Sequence, residues 1–421
     1  MRVLWFANAP SDEAYTHLMG RTQNQASWIV ALHEEISQMA NIEMGFVFQW
    51  PVKKLTSFKI AKTLYFIVPV EFNFFDRVKN NYLHLVESDR QEAIYLEIVK
   101  EYNPDVIHIF GTENNFGYIQ KTTTIPCVVQ MQGIINNYKL YYFQSISSKI
   151  VLRYSGFVKL LKRSTYFDHF LKFNKQAARE KTILSYTKNV IGFTEFDKRI
   201  ASLLGNEINY YYIPWLLRKP FYDDKWEYPK HKRFRVIAVM NPNIYKGLET
   251  VYRVSMILNE LFPNRFEFAV AGISEVSVIN KLTIKSLKIS HTNVNIKFLG
   301  NIDADKLKFE LLSSHVYLHP SLCDTSPNSI CEAMIMGMPV ISTNVGGIPS
   351  LIEDQKTGFL VQSLDYFSVA SVLKELMLSP EQCIQIGKNA REIALLRHER
   401  QKIVHDTMNI YNSLKQNKKV E

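Results

Sequence analysis

The 421-residue chain lacks any apolar run approaching the roughly 20 residues that a bilayer-spanning helix needs, its longest candidates being broken by Lys, Asp or Asn. A membrane-spanning chain is therefore not expected. The start, Met1 to Ala7, is a short apolar run closed by Asn8 and Pro10. It has neither the longer apolar region nor the small-residue cleavage site of a secretory signal, so a buried first strand in a cytoplasmic protein is the expectation. Cysteine is scarce as well. Cys127, Cys323, Cys331 and Cys383 form no CxxC pair and have no His at zinc spacing, which argues against a structural metal and for free thiols in a reducing compartment. Internal repeats and low-complexity segments are missing too.

What is present is ordinary globular material. With 47% hydrophobic and 21% charged residues, there is enough apolar surface to offset chain entropy. The length exceeds one compact core, so two domains are expected. The formal charge of +10 attracts anions of several kinds, and its location must decide among them.

Short β-rich runs alternate with amphipathic stretches, the pattern of βα units and parallel sheets. In the first half, strands are expected over 2–7, 106–110, 127–131 and 189–194, with helices over 28–37 and 90–102. The pattern lapses around 210–214, and the polar, proline-bearing stretch 219–232 reads as a linker. A second series follows over 235–240, 266–271, 294–299, 315–318, 340–343 and 358–361. The expected fold class is α/β: an N-terminal domain over 1–215 and a C-terminal domain over 216–385, both doubly wound and Rossmann-like. A closing helix over 386–421 is expected to return to the first domain.

The chemistry concentrates in His319-Pro320-Ser321-Leu322-Cys323-Asp324-Thr325-Ser326-Pro327-Asn328-Ser329-Ile330-Cys331-Glu332-Ala333-Met334, followed by Gly337, Pro339 and Val345-Gly346-Gly347-Ile348-Pro349. A strand should end at His319 and a helix begin near Pro327 to Ser329, with Ser326 as its cap. The exposed N–H groups and positive dipole end of such a helix suit a phosphate. Asp324 lies before the helix and Glu332 a turn inside it, and each carboxylate can accept two hydroxyl bonds, which suits vicinal diols.

These residues resemble the GT4 family of retaining glycosyltransferases, whose hallmark is two acidic residues separated by seven, with Pro-Asn between them and Ala-Met after the second. The runs D-T-S-P-N-S-I-C-E-A-M, G-M-P-V-I and V-G-G-I-P follow that pattern in order, with Asp324 where the family usually has Glu. The resemblance implies the GT-B fold, two Rossmann-like domains facing a central cleft. It also implies a nucleotide diphosphate sugar as co-substrate, with no metal and no bound cofactor. Lys246-Gly247 stands where the family places a lysine on the donor diphosphate, and Asn241 occupies the position of its usual partner arginine. The resemblance thus assigns Lys246, Asp324 and Glu332 to the catalytic site, and Asn241, Gly247, Thr325, Ser326, Pro327, Asn328 and Ser329 to donor binding. On the acceptor side it points to Gly20, Glu113, Gln132 and Gly133. Gln132 stands where many members carry a His, so no catalytic histidine is assigned. His108, inside a strand pattern, reads as a packed core histidine.

The segment from Tyr138 to Lys175 mixes eight Lys or Arg residues with ten Tyr or Phe residues and the single acid Asp168. It fits a helix lying on an anionic membrane surface, or equally one that buries its aromatics in the first domain. Nothing resembling a nucleic-acid motif accompanies it, so nucleic acid ranks behind both. The expected activity is transfer of a sugar to a lipid-linked or saccharide acceptor in surface polysaccharide biosynthesis, by a protein peripheral to the inner face of the plasma membrane. A sugar-nucleotide 2-epimerase and a non-catalytic scaffold of the same fold are the alternatives.

Overall fold

The computed structural model describes residues 1–21, 28–86, 88–289 and 294–417. The chain forms two compact units. The first comprises Met1–Lys139, Val158–Leu216 and Glu399–Glu421, and the second Leu140–Phe157 and Leu217–His398.

The first unit is built on an eight-stranded sheet. In chain order its strands are β1 (Arg2–Phe6), β2 (Glu43–Trp50), β3 (Thr56–Ile60), β4 (Thr63–Pro69), β5 (Val106–Phe110), β6 (Cys127–Gln130), β7 (Asn189–Gly192) and β8 (Asn209–Tyr212). Their spatial order is β3-β4-β2-β1-β5-β6-β7-β8, parallel except for the β3–β4 pair. The central strands β5 and β6 are buried at every position, which is why their sequences read as unbroken apolar runs. Leu4, Phe6, Val47, Phe66, Tyr95, Ile98, Ile107 and Phe116 form the main core on one face. On the other, the helix Arg400–Asn417 packs against β5 and the helix Trp28–Ser37. Its fully buried Tyr411 hydroxyl accepts from Trp5 Nε1 at 3.1 Å and lies 2.6 Å from His108 Nδ1. His108 is thus a core residue, and burial pushes its pKa down to about 3.

The second unit carries a six-stranded, fully parallel sheet. Its strands are β9 (Phe234–Val239), β10 (Phe266–Ala271), β11 (Ile296–Gly300), β12 (Val316–His319), β13 (Val340–Thr343) and β14 (Phe359–Val361), ordered β11-β10-β9-β12-β13-β14. The chain winds outward from β9 through β11, then returns to lay β12 on the other side of β9. Strand order therefore reverses between β9 and β12, and the space beyond the carboxyl ends of the strands at such a reversal is the usual ligand position in open α/β sheets.

Two features depart from the sequence expectation. Strands β2, β3 and β4 were not anticipated, and β8 lies where the pattern was expected to lapse; β3 and β8 are edge strands with little burial, whereas β2 and β4 are largely buried. The units also divide differently from 1–215, 216–385 and 386–421. Leu140–Phe157 groups with the second unit, where Ser145 Oγ donates to Ile244 O at 3.2 Å. The helix Pro380–Arg397 stays with the second unit because the Arg391 guanidinium donates to the Tyr222 and Ile335 carbonyls. The chain rejoins the first unit only at Glu399.

Candidate functional site

In the second unit, the two loops that leave β9 and β12 are stitched together. Leu322 N–H and Ser321 Oγ both donate to Tyr245 O, at 2.8 and 3.2 Å. The approach is close enough that a Cβ at Gly247 would meet Pro320 O at 1.9 Å, and Gly247 also sits at φ +80. Glycine is required there on both counts. The loop Val345-Gly346-Gly347 closes the other side, with Gly347 N–H donating to Asp324 O at 3.1 Å.

These backbone contacts place Asp324 at the centre of a compact polar cluster. Its Oδ2 accepts from Lys246 Nζ at 2.6 Å and lies 2.9 Å from His319 Nε2, while Oδ1 accepts from Thr325 N–H at 3.1 Å. Burial alone would push the carboxyl pKa up, but the Lys246 ammonium and the His319 hydrogen bond outweigh it and hold it well below the usual carboxylate range. Burial lowers the His319 pKa against the pull of Asp324, which favours the neutral ring. Nε2–H donating to Asp324, with Nδ1 accepting from the Tyr317 hydroxyl at 3.2 Å, gives each ring nitrogen a partner.

The helix Asn328–Met336 begins immediately beyond. Its cap is Pro327, with no side-chain capping bond, and not Ser326 as the sequence led us to expect. The extended backbone of Pro327 (ψ 122) lets its carbonyl accept the first helical bond, from Ile330 N–H at 3.1 Å. The N–H groups of Asn328 and Ser329 have no acceptor within the helix, as at any helix start. Asn328 Oδ1 is buried without a hydrogen-bond partner among the described residues. One turn on, Glu332 is buried and receives the Arg218 guanidinium through two bonds of 2.7 Å, Nε to Oε1 and Nη2 to Oε2. Arg218 also lies over the Phe221 ring, 4.6 Å from its centroid. Burial would lower its pKa, but the Glu332 carboxylate raises it.

The structure therefore brings Lys246, Asp324, Thr325, Asn328, Ser329 and Glu332 to one end of one sheet. Asn241 is exposed in the turn after β9, its carbonyl accepting from Asn243 N–H at 2.8 Å, and its side chain is not part of the Lys246 cluster among the described residues. Sequence reasoning missed three residues. His319 stands next to the motif, but only the fold brings its ring onto Asp324. Arg218 is 114 positions from Glu332 in a linker with no periodic signal. Glu249, two residues beyond Gly247, is a buried carboxyl whose pKa burial pushes up to about 7.

In the first unit, Glu113, Gln132 and Gly133 come together at the carboxyl ends of β5 and β6. Asn8 Nδ2 donates to Glu113 Oε2 at 3.3 Å and to Gln132 Oε1 at 3.2 Å. A Cβ at Gly111 (φ +79) would meet Glu113 Oε2 at 1.8 Å, so the carboxyl folds over that glycine. Burial is the main reason its pKa rises to about 7. Glu180, also unforeseen, fixes the neighbouring loop by accepting from the N–H groups of Ile135 and Asn136 and from the Thr112 hydroxyl. Gly20 ends the helix Asp12–Met19 in the left-handed conformation, its N–H donating to Thr16 O, and among the described residues no hydrogen bond joins it to this cluster.

Comparison with known proteins fits this architecture. Residues 222–393 match the family model described as glycosyl transferases group 1. A sulfoquinovosyl transferase of Arabidopsis thaliana is 38% identical over 104 residues, covering 24% of this chain and 20% of that protein. An amylovoran biosynthesis glycosyltransferase of Erwinia amylovora is 26% identical over 167 residues, covering 38% of this chain and 40% of that one. The chain thus spans well under half the length of these relatives. HepE of Anabaena, solved in complex with UDP-glucose, superimposes with a TM-score of 0.63 at 14% identity, covering 99% of this chain and 100% of that one. The fold class is the one expected, GT-B.

Proposed function

We propose that this chain, whose residues 222–393 match the family model of the group 1 glycosyl transferases, is a retaining, metal-independent glycosyltransferase using a nucleotide diphosphate sugar donor. The observation that carries this reading is the Lys246–Asp324 ion pair of 2.6 Å, set beside the start of the helix Asn328–Met336 and one turn from the buried Glu332. Lys246 and the N–H groups of Asn328 and Ser329 would meet the diphosphate and stabilise the charge that grows on it as the sugar–phosphate bond loosens. Asp324 would fix the Lys246 ammonium and reach the donor sugar with its remaining lone pairs. Glu332 would accept from the ribose hydroxyls on the side that Arg218 leaves open. The departing phosphate would take the acceptor proton on the same face, which retains the anomeric configuration. No protein nucleophile is assigned.

The acceptor in this reading is a lipid-linked or other saccharide, made into surface polysaccharide by a cytoplasmic protein peripheral to the plasma membrane. Among the described residues no helix is long and apolar enough to cross a membrane. The segment from Tyr138 to Lys175 is several short helices and the start of a long one rather than a single amphipathic helix. Tyr142 and Phe173 are buried, whereas Phe157, Val158 and Leu161 are exposed beside Lys159, Lys162 and Arg163. That basic, apolar turn supports contact with anionic lipid. Incubating the protein with UDP-glucose and other nucleotide sugars, with and without EDTA, tests the whole reading. Donor turnover with an α-configured product from an α-linked donor is the expected result. A free 2-epimer, or no turnover of any donor, would overturn it.

A further inference from the structure

The first unit holds a second feature that the donor chemistry does not use, a cavity of 460 Å³ beyond the carboxyl ends of β2, β4 and β5. Gln49 near the end of β2, Val70 just after β4, and Asn114 and Asn115 after β5 all line it.

Its floor is a chain of polar side chains bonded to one another. Gln49 Nε2 donates to the Tyr95 hydroxyl at 2.7 Å, which donates to Asn115 Oδ1 at 3.0 Å. Asn115 Nδ2 donates to Gln91 Oε1 at 3.3 Å, and Gln91 Nε2 donates to the Pro69 and Val70 carbonyls at 2.9 and 3.1 Å. Gln91 and Asn115 are 6% and 2% exposed, so these amides are built into the core. Buried amides cost free energy that apolar side chains would avoid, and a bonded network of them is rigid and oriented while oxygens such as Gln91 Oε1, which accepts one bond here, keep a second lone pair. Seven of the lining residues are Asn or Gln. Carboxamides offer a donor and an acceptor side by side, the pattern that sugar hydroxyls present in return.

The rim is cationic. Arg90 is held over the Phe72 ring at 3.8 Å, and Lys172 Nζ is anchored on Asn81 Oδ1 at 2.9 Å. Lys79 and Arg179 add two more positive charges to the lining. Of the two lining carboxylates, Glu71 is already paired with Arg77 at 2.6 Å, which leaves Asp76. One wall leads on to the Glu113 cluster, because Asn114 Nδ2 donates to Asn8 Oδ1 at 2.9 Å and Asn8 in turn holds Glu113.

We infer that this cavity is the acceptor subsite and that it takes a saccharide bearing an anionic group, with the hydroxyls on the amide floor and the anion at Arg90 and Lys172. The inference rests on the glycosyltransferase reading and sharpens its acceptor to an acidic or phosphorylated sugar. The test is calorimetric titration of the full chain, its donor site saturated with UDP, against D-glucuronate, D-glucose 6-phosphate and methyl β-D-glucoside. At least one anionic probe should bind tenfold or more tightly than the neutral glucoside, and which one does so separates carboxylate from phosphate. Arg90→Gln with Lys172→Gln should weaken the anionic probe at least tenfold while UDP affinity stays unchanged, and Arg90→Lys alone should retain most of it. Equal binding of neutral and anionic sugars, undiminished anionic binding in the double variant, or no binding of any probe would overturn the proposal. Loss of UDP binding with the anionic probe still bound would instead count against the donor reading and leave the cavity in place.

Discussion

The guanidinium of Arg218 and the carboxylate of Glu332 meet in a planar, two-bond contact, each bond 2.7 Å, with both side chains largely withdrawn from solvent. A carboxylate has about four lone-pair positions and this contact uses two, so Glu332 keeps acceptor capacity for a ribose while its orientation is fixed. The pair also removes the net charge that a lone buried carboxylate would bring to an anion site.

The first prediction separates those two roles. Arg218→Ala leaves Glu332 buried without its partner, a loss of about 3–5 kcal/mol in comparable pairs, so the melting temperature should fall and UDP affinity with it. Glu332→Gln keeps the shape but weakens charge-assisted bonds worth about 1.5–3 kcal/mol, so UDP affinity should fall roughly tenfold or more. Thermal melts and UDP titration on both variants give the answer. Unchanged UDP affinity in Glu332→Gln would remove Glu332 from the nucleotide site.

The second concerns Lys246, which Asp324 holds at 2.6 Å. Charge on the leaving phosphate grows toward the transition state, so Lys246→Ala should lower kcat more than it raises the donor KM. A loss of about a hundredfold in kcat matches deletion of one preorganised donor elsewhere. Steady-state kinetics measure both constants, and normal turnover in Lys246→Ala would put the phosphate in another place.

How far the sequence revealed this site depends on distance along the chain. All six strands of the second unit were legible, most of them because a parallel strand buried on both faces leaves a continuous apolar run, although the edge strand β11 is only partly buried. Asp324 and Glu332 were legible because one loop and one helix set their spacing, whereas Lys246, 78 positions from Asp324, was reached only through the family resemblance. Arg218 was not, since its partner lies 114 positions away and nothing local marks a linker arginine as buried. The pairing of Asp324 with Lys246 and His319 was also hidden, as it follows from the meeting of the loops after β9 and β12. In the first unit β8 was lost for a different reason. Its Asn-Tyr-Tyr-Tyr sequence is half-exposed at a sheet edge and carries no alternation to read.

The third prediction is that turnover survives EDTA, since Lys246 and the helix-start amides can take the part a divalent cation plays elsewhere on a diphosphate. Assays before and after chelation, followed by magnesium or manganese, check it. Activity lost to EDTA and regained with the metal would contradict this division of labour.

The last prediction uses Glu249, buried in the first turn of the helix Leu248–Leu261 with its pKa pushed up to about 7 by burial, against opposing pulls from Ser145 and Arg253. Between its ordinary value of 4.5 and about 7 the folded chain keeps this proton while the unfolded chain has released it. The folded state binds more protons over that window, so stability falls as pH rises through it. Below the unfolded pKa both states are protonated and the cost vanishes; above about pH 7 it is complete, at about 3 kcal/mol. Glu249→Gln keeps the shape and removes the titration. Relative to the parent, its melting temperature should be nearly the same at pH 4.5 and higher at pH 8, by about 6–12 °C if the second unit melts as a domain of roughly 200 residues. Calorimetric scans of both proteins at the two pH values measure the difference, which cancels other titrating groups such as Glu113. A difference that does not grow with pH would mean that water or a ligand, rather than a dry interior, surrounds the Glu249 carboxyl.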